Sequence, residues 1–548
     1  MMMGILHTIR GGVHMDYLYN PYATKKHAAF AKKGMVATSQ PLAAQAGIEV
    51  MQKGGNAIDA AIATAAALTV VEPTSNGIGG DAFALVWTKG ELHGLNASGP
   101  APEKMTIEAI KARGFEKIPT YGVVPITVPG VPAAWAELSK RFGKLSLLEA
   151  LSPAIRYAEE GFPLTPILGK YWKIAYEKFT AAADSEAFDA WFETFAPDGR
   201  APEIGEMWKS RGHADTLRAI GESNATSFYK GALADKIDTY VQQHGGFLTK
   251  KDLAQYEPEW VTPIKTNYRG YDIWEIPPNG QGMISLMGLN ILSKRQPPIE
   301  GDVQSLHEQI EAMKYAFIDG KAYITESRDM PIDYTYFLSD EYATTRANEI
   351  GERANNPDPV ELPKGGTVYL ATADEEGNMV SFIQSNYMGF GSGAVVPNTG
   401  IALQNRGVDF KLDPEHPNAL QPGKRTFHTI IPGFMTKDGE AVGPFGVMGG
   451  FMQPQGHFQV AVNTIDFHLN PQAALDAPRW QWTEGNTVHV EPDFPNHLAQ
   501  ALVRLGHDIK PTIDGGSFGR GQIIWRDPKT GVLAGGTESR TDGSIAVW

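Results

Sequence analysis

Along the first two-thirds of the chain apolar residues recur mostly at helical spacing, and from Thr367 onward they alternate as in short strands. "MVAT" predicts an early strand. A helix should follow, with Ser39 as N-cap, Pro41 in the first turn and Gly54-Gly55 at its end. "NAIDAAIATAAALTVV" predicts a second helix, capped by Asn56 and stopped by Pro73. It is apolar nearly all round, as a fully buried helix would be. "GIGGDAFALVWTKGELHGLNASGPAP" reads as a loop, a strand, a Lys89-Gly90 turn and another strand. Residues 140–260 and "GDVQSLHEQIEAMKYAFIDGKAY" carry amphipathic helical patterns. Between about 328 and 366 the text turns polar and irregular, the composition of an exposed, cuttable linker.

The β-rich part opens with "TVYLATAD", the turn "EEGN" and "MVSFIQSN", which together predict a hairpin. Similar strands are expected in "HTIIPGFMTKDGEAVGPFGV" and "RGQIIWRDPKTGVLAGG", with one helix at "QPQGHFQVAVNTIDF". There is no internal repeat and no low-complexity tract.

Composition narrows the function classes. With 42% hydrophobic and 20% charged residues, 548 residues can bury a large core. The formal charge of −14 disfavours a nucleic-acid partner. The absence of cysteine excludes disulfides, thiolate metal ligands and a cysteine nucleophile. The first twenty residues lack the basic and apolar regions of a secretory leader, and no apolar run reaches the roughly 18 residues of a membrane span. The expectation is a cytoplasmic protein without a membrane partner.

Familiar motifs mostly fail. "HEQIE" at 307–311 lacks the second histidine of a zinc-protease helix, so His307 reads as an ordinary surface or packing residue. "GFGSG" at 389–393 has the wrong spacing for a dinucleotide site and reads as a tight turn. "GGSFG" at 515–519 matches a nucleophile elbow around Ser517, but that elbow needs a following helix and "RGQIIW" reads as a strand. No metal or organic cofactor motif is present.

Thr367 follows Gly365-Gly366 at the start of the predicted hairpin. A threonine hydroxyl becomes a useful nucleophile when a base adjoins it, and its own α-amine can serve once the preceding peptide bond is cut. That amine has an unperturbed pKa of about 7.7–8. Glycine before the threonine leaves the scissile carbonyl unhindered and the backbone free to strain.

The surrounding text closely resembles the γ-glutamyltranspeptidase family of N-terminal nucleophile hydrolases. The resemblance runs from "GMVATSQPLAAQAGIEVMQKGGNAIDAAIATAAALTVVEPTSNGIGGDAFAL" through "TVPGVPAAW", "FLTKKDLAQYEP", "YRGYDIWEIPPNGQG" and "HEQIEAMKYAFID" to Thr367. It continues in "GVMGGFMQPQGH" and "NPQAALDAPRW", so it covers roughly residues 34 to 546. It implies an α+β fold, a four-layer αββα sandwich. A precursor would cut itself between Gly366 and Thr367 into pieces 1–366 and 367–548, which stay interlocked as one domain. It also implies Thr367 as nucleophile, Ser385 as the second hydroxyl that orients it, and the Gly449-Gly450 backbone as oxyanion donors. The substrate would be a small-molecule amide, and a homodimer is compatible with this reading.

Asp409 matches the acidic residue that holds the substrate α-amino group in γ-glutamyl enzymes, with a pairing to Arg406 as the alternative. Four contacts depart from the family pattern. Asn96 stands where the carboxylate-binding arginine is expected, and His428-Thr429 replace a serine pair. Tyr387 replaces an asparagine and Arg406 a glutamine. These departures, with "SNYMGFGSG", "LQNRG" and "MQPQGH", are similar to the cephalosporin (glutaryl) acylase-like or γ-glutamyltransferase-like branch. Oxamate amidohydrolases of the family also look similar. Hydrolysis of γ-glutamyl or glutaryl-like amides is expected, rather than transpeptidation. The competing readings are a non-catalytic binding protein that kept the fold and a serine hydrolase using Ser517.

Overall fold

The computed structural model describes residues 26–182, 186–357, 365–513 and 515–548. Two seven-stranded antiparallel sheets lie face to face. The first runs, edge to edge, Ser544–Val547, Gly34–Thr38, Gly366–Asp374, Met379–Tyr387, Asp81–Thr88, Glu91–Ala97 and Glu259–Val261. The second runs Ala29–Ala31, Leu533–Thr537, Arg520–Arg526, Glu440–Met448, Gly433–Lys437, Tyr271–Glu275 and Ile264–Tyr268. Each sheet mixes strands from both sides of Gly366. A cut there leaves the two pieces tied by backbone ladders on both sides of the sandwich.

Alternation along the central hairpin assigns each face. Val368 and Leu370 join a core shared with the helices Pro41–Gln52, Ala57–Val71 and Leu147–Glu160. Tyr369, Ala371 and Ala373 point between the sheets, against Phe434, Met448 and Ile524. On the return strand Phe382 faces the helices and Ile383 faces the second sheet. A third core packs Gly282–Ser293, Val303–Tyr323 and Met452–Ile465 on the outer face of the second sheet. The layers are therefore helix, sheet, sheet, helix, the αββα order expected.

Local signals explain most elements. Asn56 caps the second helix in a reciprocal capping box with Asp59, whose carboxylate accepts from the Asn56 N–H at 3.0 Å. The Asp374 carboxylate closes the hairpin turn on Asn378 N at 3.0 Å and also caps Ala57 N at 2.8 Å, fixing the hairpin to that buried helix. Two expectations need correction. The first helix is capped by Gln40, whose side chain accepts from Leu42 N at 2.7 Å; Ser39 instead donates to the buried Glu72. The stretch 328–366 is not uniformly irregular. Ser339 caps a helix Asp340–Glu349 that buries Tyr342, Ala343 and Ala347, and its Arg346 pairs with Asp319 at 2.6 Å. The signal is short and polar, which hid it. Residues 358–364 of the expected linker lie outside the described residues, as does the N-terminal stretch 1–25. Among the described residues no helix is long and apolar enough to cross a membrane.

Close approach of the sheets depends on Gly446. A Cβ there would lie 2.5 Å from the Tyr369 ring, whose hydroxyl is 2.8 Å from Ser381 Oγ. Gly446→Val should therefore overpack the inter-sheet layer and cost about 1–3 kcal/mol. Chemical denaturation of the purified variant measures it, and undiminished stability would show that the sheets have room to spare.

Candidate functional site

Thr367 is the second residue of the strand Gly366–Asp374, and a register shift between Gly366 and Val368 marks a bulge at that point. The residue is 1% exposed, and its hydroxyl lies 2.7 Å from Gly366 O and 3.1 Å from Ser385 Oγ. Ser385 Oγ donates to the same Gly366 carbonyl at 2.7 Å and accepts from Tyr387 N at 2.8 Å. Two hydroxyls thus converge on the carbonyl of the bond whose cutting would free the Thr367 amine. A donor on that oxygen favours negative charge developing there during attack.

The glycine pair 449-450 borders the same segment. A Cβ on Gly365 would lie 3.5 Å from the Gly450 Cα. Gly449 and Gly450 have φ of 138° and 57°, values that side chains disfavour. On the opposite flank, a Cβ on Gly366 would stand 3.6 Å from the Ser75 Cα. In the uncut chain Thr367 lines none of the described cavities; the larger ones, about 760 and 690 Å³, are lined by residues elsewhere.

Beyond Ser385 a line of buried polar groups leads away from Thr367. Tyr387 takes φ 75°, uncommon for a bulky residue, and its hydroxyl donates to Asp409 Oδ1 at 2.7 Å. The Arg406 guanidinium stacks on the Tyr387 ring at 4.1 Å and donates to Thr429 Oγ1 at 2.8 Å. It stands 3.6 Å from Asp409 Oδ2 and 3.8 Å from Asp81 Oδ2. His428 Nε2 lies 3.0 Å from the same Asp81 oxygen. Arg406 Nε and Nη2 and Asp409 Oδ2 have no hydrogen-bond partner, though Arg406 is only 1% exposed. Unpaired polar atoms this deep are costly unless a ligand meets them.

Charge in this cluster is set by burial. Desolvation pushes the Asp81 carboxyl up to about 7 against the pull of Arg406. Burial raises Asp409 as well, again opposed chiefly by Arg406. Burial, assisted by Arg406, drives His428 well below its ordinary value, so a neutral imidazole meets Asp81. One fixed cation therefore serves two carboxyls that ionise reluctantly.

The structure brings Thr367, Ser385, Tyr387, Asp409, Arg406, Thr429 and His428 into one contact chain. Asn96 joins it through Asn279, whose backbone carbonyl accepts from His428 N at 2.9 Å. Its amide donates to Asn279 at 2.9 Å, and its oxygen accepts from Ser98 N and Oγ, which commits it to local structure. Ser517 sits in a single helical turn, Gly515–Phe518, that leads into the strand Arg520–Arg526 instead of a helix. His307 is not a surface residue. It is fully buried, 2.8 Å from His507, and Glu311 completes a group whose ligand atoms lie within 4.8 Å of one another. The Lys314 ammonium, 2.7 Å from Glu311, already brings positive charge to that group. Sequence reasoning missed Asp81, although a carboxylate opening an otherwise apolar buried strand is itself a signal.

The sequence model of the family described as Gamma-glutamyltranspeptidase matches residues 43–548. A glutathione hydrolase-like proenzyme, YwrD, of Bacillus subtilis (strain 168) is 38% identical over 526 residues, 93% of this chain and 98% of that protein. An oxamate amidohydrolase proenzyme of Klebsiella pneumoniae subsp. pneumoniae is 33% identical over 529 residues, 94% of this chain and 98% of that one. The crystal structure of a cephalosporin acylase from Bacillus halodurans is 64% identical with a TM-score of 0.96, covering 98% of this chain and 99% of that chain.

Ser385→Ala removes a donor from the Gly366 carbonyl and should slow cutting about 10²-fold or more, followed by gel electrophoresis of freshly made protein. An unchanged rate would separate Ser385 from the cutting step.

Proposed function

The chain belongs to the gamma-glutamyltranspeptidase family of self-processing amidohydrolases, and on that premise we propose that Thr367 hydrolyses amides of small acyl groups ending in a carboxylate, glutaryl-like or γ-glutamyl. The observation that carries the substrate class is the buried, unpartnered Nη2 of Arg406, whose guanidinium stacks on Tyr387, the residue whose N–H donates to Ser385 Oγ.

Chemistry follows in two stages. In the precursor, Thr367 Oγ adds to the Gly366 carbonyl carbon while Ser385 holds the oxygen. The C–N bond breaks as its nitrogen takes a proton, giving an ester to Thr367 Oγ and a free α-amine. Water cleaves the ester and releases the Gly366 carboxylate. In the mature enzyme that amine takes the hydroxyl proton as Oγ attacks the substrate amide. The Gly449 and Gly450 N–H groups meet the oxyanion, the amine leaves protonated, and water returns the acyl group as a carboxylic acid. Arg406 binds the far carboxylate in the two-donor geometry that guanidinium favours.

Asp409 decides between the two acyl groups. Its Oδ2 either receives a substrate ammonium, as γ-glutamyl requires, or serves Arg406 at 3.6 Å. Burial raises the Asp409 carboxyl above its ordinary value, and Arg406 already stands beside Oδ2, an arrangement that favours the glutaryl-like group, which brings no ammonium.

A hydrolysis panel of glutaryl, γ-glutamyl, succinyl and oxamyl amides tests the reading. Glutaryl amides should lead, and Arg406→Leu should raise their KM about 100-fold. Equal turnover of an uncharged acyl amide would overturn it. A pH series adds a second check. Below about pH 7 Asp81 is protonated and leaves Arg406 to the substrate; above it, the Asp81 anion competes. KM should therefore rise with pH through about 7, and Asp81→Asn should flatten that rise.

A further inference from the structure

A glycine pair with φ of 138° and 57° has no side chain to lock it, and glycine backbone is the freest in the chain. Oxyanion donors nonetheless act only if their N–H groups are fixed before charge develops. Three hydrogen bonds restrain this pair. Met452 N donates to Gly449 O at 3.0 Å and Gln453 N to Gly450 O at 3.3 Å, both from the helix that follows. The third comes from Gln281, on the other side of the cut, whose Nε2 donates to Gly450 O at 2.9 Å.

The same amide nitrogen donates to Thr429 O at 2.5 Å, and the Gln281 backbone N–H donates to His428 O at 2.9 Å. Thr429 Oγ1 in turn accepts from Arg406 Nη1. One side chain, with no exposed surface, therefore joins the Gly449-Gly450 turn to the segment that holds the acyl-binding arginine. A second link runs alongside, from Ile431 N to Gln453 Oε1 at 3.0 Å.

We propose that Gln281 is a positioning residue for turnover: through the Gly450 carbonyl it fixes the oxyanion donors relative to Arg406. This rests on the amidohydrolase reading above. It also separates the two reactions of the chain. During self-cutting the reacting carbonyl is that of Gly366, which the Ser385 hydroxyl already engages at 2.7 Å. Cutting draws its donor from the hairpin; turnover draws its donors from the turn that Gln281 holds.

The test compares wild type, Gln281→Leu and Gln281→Glu, each allowed to process and then assayed on a glutaryl amide. Gln281→Leu should cut within about twofold of the wild-type rate and keep KM within about threefold, while kcat falls roughly 10–100-fold. Gln281→Glu keeps the volume and retains a donor only while protonated, so its kcat should fall with rising pH relative to wild type. A merely structural role would lower cutting and kcat together and raise KM. Either that pattern or an unchanged kcat in both variants overturns the proposal. If Gln281→Leu fails to fold, the pH profile of Gln281→Glu decides, and a profile parallel to wild type counts against it. Absence of turnover in wild type would instead remove the amidohydrolase reading, so the two failures are distinguishable.

Discussion

Two hydroxyls and one carbonyl oxygen set the terms for this structure. Thr367 Oγ and Ser385 Oγ each lie 2.7 Å from Gly366 O, inside a hairpin almost sealed from solvent. Such a geometry survives only if the hairpin cannot slip. It is flanked by antiparallel partners on both sides, capped onto the helix Ala57–Val71 by Asp374, and packed by Tyr369 against the glycine at 446. The sandwich is the device that holds the Thr367 hydroxyl, the Ser385 hydroxyl and the Gly366–Thr367 bond in one place.

Interleaved strands give the precursor a way to break its chain without losing its fold. Each sheet contains strands from before and after Gly366, so the cut removes a covalent link and touches the ladders only at the terminal pair of Gly366 with Tyr387. The buried contacts around the site also cross the cut. Gln281 and Asp81 precede it, whereas Gly450, Arg406 and His428 follow it. The Gly449-Gly450 turn and Arg406 are thus held by contacts from both pieces at once. Electrostatics there is economical: one guanidinium faces two carboxyls whose ionisation burial opposes.

Legibility tracked sequence distance. The hairpin at Thr367 could be read because alternation and turn chemistry are local, and the long motif order identified the family. The Asn56 capping box was readable for the same reason. The helix Asp340–Glu349 was missed because ten polar residues with three buried positions carry little periodic signal. Asp81 and Gln281 were missed because their meaning lies in partners 347 and 169 positions away, His428 and Gly450. Asn96 shows the converse. Its place in the motif suggested a substrate contact, but Ser98, two residues on, and Asn279 take up its hydrogen bonds.

The central claim is that this chain makes its own catalyst by freeing the amine of Thr367. Intact-mass analysis of purified protein, with Thr367→Ala as control, tests it most directly. The wild type should give two chains, the second beginning at Thr367, and Thr367→Ala one uncut chain. An uncut wild-type chain that still hydrolyses amides, or a cut at the same bond in Thr367→Ala, would contradict it.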